Sequence, residues 1–143
     1  VEQDAGLAAE CAADGVQILG SLERYREARA LLGSDRIVGA LCEGVRHTAM
    51  ELAEAGIDYV AFDQNTPMIF GEGETSEQGD PITWWADLFE IPVVAFAPAS
   101  IDTVNTLVKA GSNFIRPDDA MWSSAERAAD TVKRYNAGID ACD

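Results

Sequence analysis

The chain has 143 residues, 48% apolar and 24% charged, with 25 acidic against 10 basic side chains and a formal charge of −15. That is about one globular domain with enough apolar mass for a core, and it excludes disordered, collagen-like and disulfide-scaffold classes. So acidic a surface repels nucleic acid and anionic membranes, no apolar run nears the roughly 20 residues of a membrane span, and the two lysines, Lys109 and Lys133, form no basic patch.

Taken in order, the pattern predicts a helix over 3–12, a strand over 15–19, a helix over 22–32 and a strand over 36–41. A helix over 45–55, a strand over 58–62, a helix over 82–90 and a strand over 92–97 follow. The chain ends with a helix over 101–110, a strand over 113–116 and a helix over 124–136. The strands are almost unbroken apolar runs (VQIL, IVGAL, YVAF, VVAFA), as strands covered on both faces should be. Val104, Leu107 and Val108 fall on one helical face. Ser100 and Ser123 or Ser124 are placed to cap helices, with Glu126 at capping-box spacing from Ser123.

Three helix-to-strand joins repeat one pattern: Ala12-Ala13-Asp14-Gly15, Ala55-Gly56-Ile57-Asp58 and Ala110-Gly111-Ser112-Asn113. Recurrent joins of this kind imply stacked βα units on a parallel sheet, either a doubly wound flavodoxin-like sheet or part of an eight-fold barrel. Residues 63–81 are too long and too rich in Gly, Asp and Glu for a simple turn, and read as a flexible loop after a strand. Cys11, Cys42 and Cys142 lack metal-ligand or redox spacing and read as buried or free thiols in a reducing cytoplasm. The chain opens on Val1 rather than Met and runs almost at once into helical sequence, so an N-terminal portion is expected to precede it.

Asp14-Gly15-Val16-Gln17, Tyr25 with Glu27-Ala28-Arg29, Arg36-Ile37-Val38-Gly39, Arg46-His47-Thr48-Ala49-Met50 and Ala55-Gly56-Ile57-Asp58-Tyr59-Val60-Ala61-Phe62 together resemble the thiamine phosphate synthase family. Trp84-Trp85, Ile91-Pro92-Val93-Val94-Ala95 and Met121-Trp122 resemble its α-proteobacterial members. The resemblance implies an α/β (β/α)₈ TIM barrel, of which residues 1–143 form a single partial barrel carrying roughly the last five βα units. It also implies a reaction in which a pyrimidine diphosphate ionises to a carbocation and Mg²⁺-bound pyrophosphate, and a thiazole phosphate captures the cation.

Such chemistry needs acids for Mg²⁺ and backbone or hydroxyl donors for phosphate. By the resemblance, metal ligation falls to Glu2 and, with a one-residue slip, to Glu23; Glu43 and Asp63, as acids at strand ends, are further candidate ligands, and Asn65, Ser100 and Arg116 are the candidate phosphate contacts. Several family positions are altered. The second metal aspartate falls on Leu22, the hydroxyl ending the next strand on Leu41, and the loop lysine is gone from Asp63-Gln64-Asn65-Thr66-Pro67. A Gly-Gly-Ile phosphate loop reads Ala97-Pro98-Ala99, and the last strand's serine reads Asp118.

The expectation is therefore a thiamine phosphate synthase-like barrel with a degenerate phosphate and Mg²⁺ site, acting as a non-catalytic binding or assembly component. The alternative is an active transferase whose Mg²⁺ site is rebuilt from these acids. His47 reads as a solvated or capping residue, Trp84 and Trp85 as outer-face packing, Cys42 as a small buried thiol, and Arg116 as the partner of Asp118 or Asp119. A small phosphorylated ligand is the expected partner. A partial barrel exposes apolar edges, so completion by its own missing N-terminal segment or by another chain is also expected.

Overall fold

The computed structural model describes residues 1–43, 46–66, 68–70, 77–96, 98 and 100–142. In chain order the elements are α1 (Ala5–Glu10), β1 (Gly15–Leu19), α2 (Leu22–Leu32), β2 (Ile37–Leu41), α3 (Arg46–Glu54) and β3 (Tyr59–Asp63). They continue with β4 (Met68–Phe70), β5 (Glu77–Gly79), α4 (Pro81–Leu88), β6 (Val93–Phe96), α5 (Val104–Lys109), β7 (Phe114–Arg116) and α6 (Ala125–Asp140).

Five strands form one parallel sheet in the order β1-β2-β3-β6-β7, so each new strand is added on the same side of its predecessor. A doubly wound sheet must reverse direction at a switch point, and this one never does, which makes it an open segment of a (β/α)₈ barrel. The N-terminal residues extend the segment: Glu2 bridges Gln17 in parallel, with Gln3 N–H donating to Gln17 O at 2.6 Å and Gln17 N–H to Val1 O at 2.9 Å. Residues 1–3 thus lie parallel beside β1, outside the five strands.

Period-2 alternation sets the two faces of the sheet. Val16, Ile18, Val38, Ala40, Val60, Phe62, Val93 and Ala95 belong to the buried core beneath the helices. Ile37 (50% exposed) and Phe114 (64%) face the concave side, where the open barrel leaves them uncovered. Tyr59 also faces this hollow. Its ring lies across Gly39, where a Cβ would sit 2.0 Å from the ring, and its hydroxyl donates to Gln17 Oε1 at 3.2 Å.

The repeated joins have a physical basis. Gly56 and Gly111 take φ of 87° and 99°, and Ala12 adopts 51°, which reverses the chain at each helix end. At two of the three joins the Asx side chain that follows accepts an amide at the start of the neighbouring strand, and at the first join the Asp14 backbone carbonyl accepts from Ile37 N–H. Asp58 Oδ2 accepts from Val38 N–H at 2.7 Å, and Asn113 Oδ1 from Val93 N–H at 2.9 Å. The same Asp58 oxygen accepts from Arg29 Nη2 at 2.6 Å, and Arg29 Nη1 donates to the carbonyls of Gly33 and Arg36. Removing the carboxylate by Asp58→Ala should cost about 1–2 kcal/mol, held low by the group's partial exposure; a shift in the urea midpoint measures it.

Element ends differ from the expectations by a few residues. The helix expected over 3–12 is shortened to Ala5–Glu10 because Asp4 caps it by accepting from Leu7 N–H, and the last helix runs on to Asp140. Ser124 rather than Ser123 caps α6, accepting from Arg127 N–H, so the Ser123–Glu126 box does not form. The start of the 101–110 helix is a short 3₁₀ turn over Ile101–Thr103 capped by Ser100. Within 63–81, β4 pairs antiparallel with β5, and Met68 is fully buried; Pro67 and residues 71–76 of that loop lie outside the described residues, as does Ala97.

Candidate functional site

Parallel barrels gather their chemistry at the strands' C-terminal ends. Here those ends are Leu19, Leu41, Asp63, Phe96 and Arg116, with Glu2 bridged to β1 beside them. All but Asp63 line a cleft of about 180 Å³ together with Gln3 and Gln17, with Asp119 at its rim. Deeper in the hollow a second cavity of about 330 Å³ is bounded by Val1, Glu2, Gln17, Ile37 and Tyr59. Burial, and after it the Glu2 carboxylate, push the Tyr59 phenol above its ordinary pKa, so it stays a neutral hydrogen-bond donor.

Arg116 dominates the mouth. Its Nη2 donates to Asp119 Oδ1 at 2.6 Å and to Glu2 Oε1 at 3.0 Å, Nη1 donates to Pro117 O at 3.1 Å, and the guanidinium lies 4.4 Å from the Phe96 ring centroid. The expected pairing within the Arg116–Asp119 segment is therefore present, to Asp119 rather than Asp118, whose carboxylate accepts from Ala120 N–H. The second partner, Glu2, lies 114 positions away in the chain.

The other candidate ligands are separately placed. Asp63 Oδ1 accepts from the backbone and side-chain N–H groups of Asn65 at 2.8 and 3.1 Å, an Asx turn at the end of β3. Ser100 accepts from Asp102 N–H and donates to Asp102 Oδ2, so its hydroxyl closes a helix start. Glu43 is exposed beyond the end of β2. Glu23 sits in the first turn of α2 and lines a different groove, of about 390 Å³, with Gln3, Arg24 and Glu27.

Glu2, Glu23, Glu43 and Asp63 thus do not assemble into one set, and among the described residues no three His, Cys, Asp or Glu side chains come together as a metal-binding group. The phosphate loops read the same way: Pro98, buried at the end of β6, offers no N–H, and Ala97 and Ala99 lie outside the described residues.

The remaining singled-out residues are accounted for by packing or solvent. His47 is exposed on α3 with Nε2 3.5 Å from Glu51. Trp85 is fully buried under α4, and Trp84 packs against the same core. Cys42 is buried and Cys11 exposed, and all three cysteines are free thiols. No described helix is long and apolar enough to cross a membrane.

The comparisons with known proteins agree with this architecture. Residues 1–117 match the family model described as thiamine monophosphate synthase. The chain is 38% identical over 130 residues to the thiamine-phosphate synthase of Rhodospirillum centenum, covering 91% of this chain and 63% of that protein. It is also 38% identical over 136 residues to that of Erythrobacter litoralis, covering 90% and 62%. The chain therefore spans less than two thirds of the length of these relatives. Among solved structures, a thiamine phosphate pyrophosphorylase from Pyrococcus furiosus aligns over 99% of this chain and 67% of its own with a TM-score of 0.76 at 20% identity, a likeness of fold. With that match across most of its length, and relatives at this identity, the chain belongs to the thiamine monophosphate synthase family.

Proposed function

We propose that this chain forms the larger share of a barrel with thiamine-phosphate synthase activity, joining hydroxymethylpyrimidine diphosphate to thiazole phosphate with release of pyrophosphate. The observation that carries this reading is the family match over residues 1–117, which includes every strand of the sheet and the rim residues Glu2, Asp63, Ser100 and Arg116. The uncovered concave face supports the companion reading that an N-terminal segment or another chain closes the barrel. The three free thiols fit a reducing cytoplasm.

The residues at the mouth have plain physical roles in such a reaction. Leu19, Leu41 and Phe96 give a carbocation apolar walls that keep water away. The carboxylates of Glu2 and Asp119 sit where positive charge developing on the pyrimidine would be stabilised. Neutral Tyr59 and Gln17 offer hydrogen bonds to a heteroaromatic ring in the hollow. Arg116 and the Ser100 hydroxyl are the groups available to anionic oxygen. In this family Mg²⁺ neutralises the departing diphosphate; the acids of this chain do not form a site for it as they stand, because Glu2 is held by Arg116 and Asp63 by Asn65.

A second reading, a barrel that binds without catalysing, is favoured by one set of observations. Strand ends that should donate to phosphate carry Asp63, Pro98 and Asp118, and each uncompensated carboxylate near a phosphate costs on the order of 1 kcal/mol. Titration with Mg²⁺-pyrophosphate and with thiazole phosphate, together with a turnover assay, separates the two on a chain extended to the relatives' length. Turnover of both substrates is the expected result. No product, and no heat with either family ligand, would leave the non-catalytic reading, a binding or assembly role toward other partners, standing.

A further inference from the structure

The short 3₁₀ turn Asp119–Trp122, which follows β7, is set against α6 by polar side chains on successive turns of that helix. Arg127 Nη1 donates to Ala120 O at 3.5 Å, and Thr131 Oγ1 donates to Met121 Sδ at 3.7 Å. Both contacts are weak, since the first is long and a thioether is a poor acceptor. Tyr135 comes next on the same face of α6. It is 4% exposed, and its hydroxyl oxygen is enclosed with no hydrogen-bond partner among the described residues.

Half-buried Asp118 opens the turn. Its Oδ1 accepts from Ala120 N–H at 2.8 Å, while Oδ2 takes no hydrogen bond among the described residues. Burial first, and then the Asp118 charge, raise the Tyr135 phenol above its ordinary pKa, with Arg134 opposing. The phenol and the carboxylate are therefore close enough to interact and too far apart to bond directly. A hydroxyl buried dry forfeits the hydrogen bonds it makes to water in the unfolded chain, and two polar groups held at such a separation are ordinarily joined by a water.

We propose that Tyr135 and Asp118 form a site for one buried water, which accepts from the Tyr135 hydroxyl and donates to Asp118 Oδ2. That water is the third contact between α6 and the turn, after those of Arg127 and Thr131. It ties to α6 the segment whose Asp119 accepts from Arg116 at the mouth. The site is independent of whether the barrel turns over the family's substrates.

A crystal structure of the protein, at a resolution that shows ordered waters, should place one within hydrogen-bond reach of both Tyr135 Oη and an Asp118 carboxylate oxygen. A dry hydroxyl, or one bonded to Asp118 directly, overturns the proposal. Urea unfolding reads the same contact in solution. Tyr135→Phe keeps the ring and removes only the hydroxyl, so it should lower the folding equilibrium constant about fivefold. In an Asp118→Ala background the same change should lower it by at most about twofold, because the water has already lost its other holder. A Tyr135→Phe protein as stable as wild type or more so would mean that the hydroxyl was dry, since deleting an unmet donor relieves the folded state. A loss undiminished by Asp118→Ala would show that Asp118 has no share in the contact, and either result overturns the proposal. If a variant does not fold, the crystal structure of the unmutated protein decides.

Discussion

Replacing Trp85 with alanine should destabilise the protein by about 3–5 kcal/mol, the range for truncating a fully buried large aromatic. The indole is completely enclosed between α4 and the outer face of the sheet. It stacks on Phe89 at 4.1 Å between centroids and meets Phe62 edge-to-face at 5.9 Å, while Nε1–H donates to the Ile91 carbonyl at 2.8 Å. Alanine forfeits the burial, both ring contacts and the hydrogen bond. It also leaves a void that Phe62, anchored in β3, cannot collapse to fill. Trp85→Phe keeps the ring contact and loses the donor, so it should cost about 1–2 kcal/mol, near the price of one unmatched buried carbonyl. Urea unfolding followed by circular dichroism measures both. An alanine variant within about 1 kcal/mol of wild type would mean that α4 does not hold the sheet in the way described.

Parts of this fold were legible in the sequence. Strand interiors were, because unbroken apolar runs have few other uses in a chain of this size: β1 was bounded to the residue, and β2, β3, β6 and β7 shift by one residue at an end or two. Helix ends were less so. A cap depends on which of two adjacent serines turns its hydroxyl inward, and at α6 it is Ser124. The recurrent Asp or Asn at the joins was visible as a pattern. Its cause at two of the joins, a carboxylate or amide oxygen accepting an amide at the start of the adjacent strand, depends on the register of two strands distant in sequence.

The site divides in a similar way. Asp63, Ser100 and Arg116 could be placed at the mouth because they end or follow strands, and parallel barrels put function there. Glu23 could not be judged: one helical turn carries it from the rim to an outer groove. The contact that organises the mouth, Glu2 with Arg116, joins residues from the two edges of the sheet and leaves no local signal. The antiparallel pairing of β4 with β5 was hidden by the Gly and Glu residues between the two strands.

Alkaline pH should weaken the protein through Cys42. Burial under the sheet's outer face pushes its thiol up to about 12, so the folded protein keeps the proton where an unfolded chain, titrating near 8.5–9, releases it. The unfolded state then binds fewer protons, and stability falls as pH rises. The contribution is complete below the unfolded value and is lost at about 1.4 kcal/mol per pH unit on the way to the folded one. Between pH 8 and 10.5 the wild-type protein should therefore lose about 2 kcal/mol more than Cys42→Ala, in which no thiol titrates. Tyr59 and Tyr135, whose phenols are also raised by burial, act in the same direction at higher pH and cancel in the comparison. The thiol itself supplies a second readout: at pH 8 a disulfide reagent should consume exposed Cys11 rapidly and leave Cys42 untouched until the chain is unfolded. Rapid modification of Cys42 in the folded protein would place a thiolate at the end of β2, and with it a nucleophile beside the mouth that its buried position here denies.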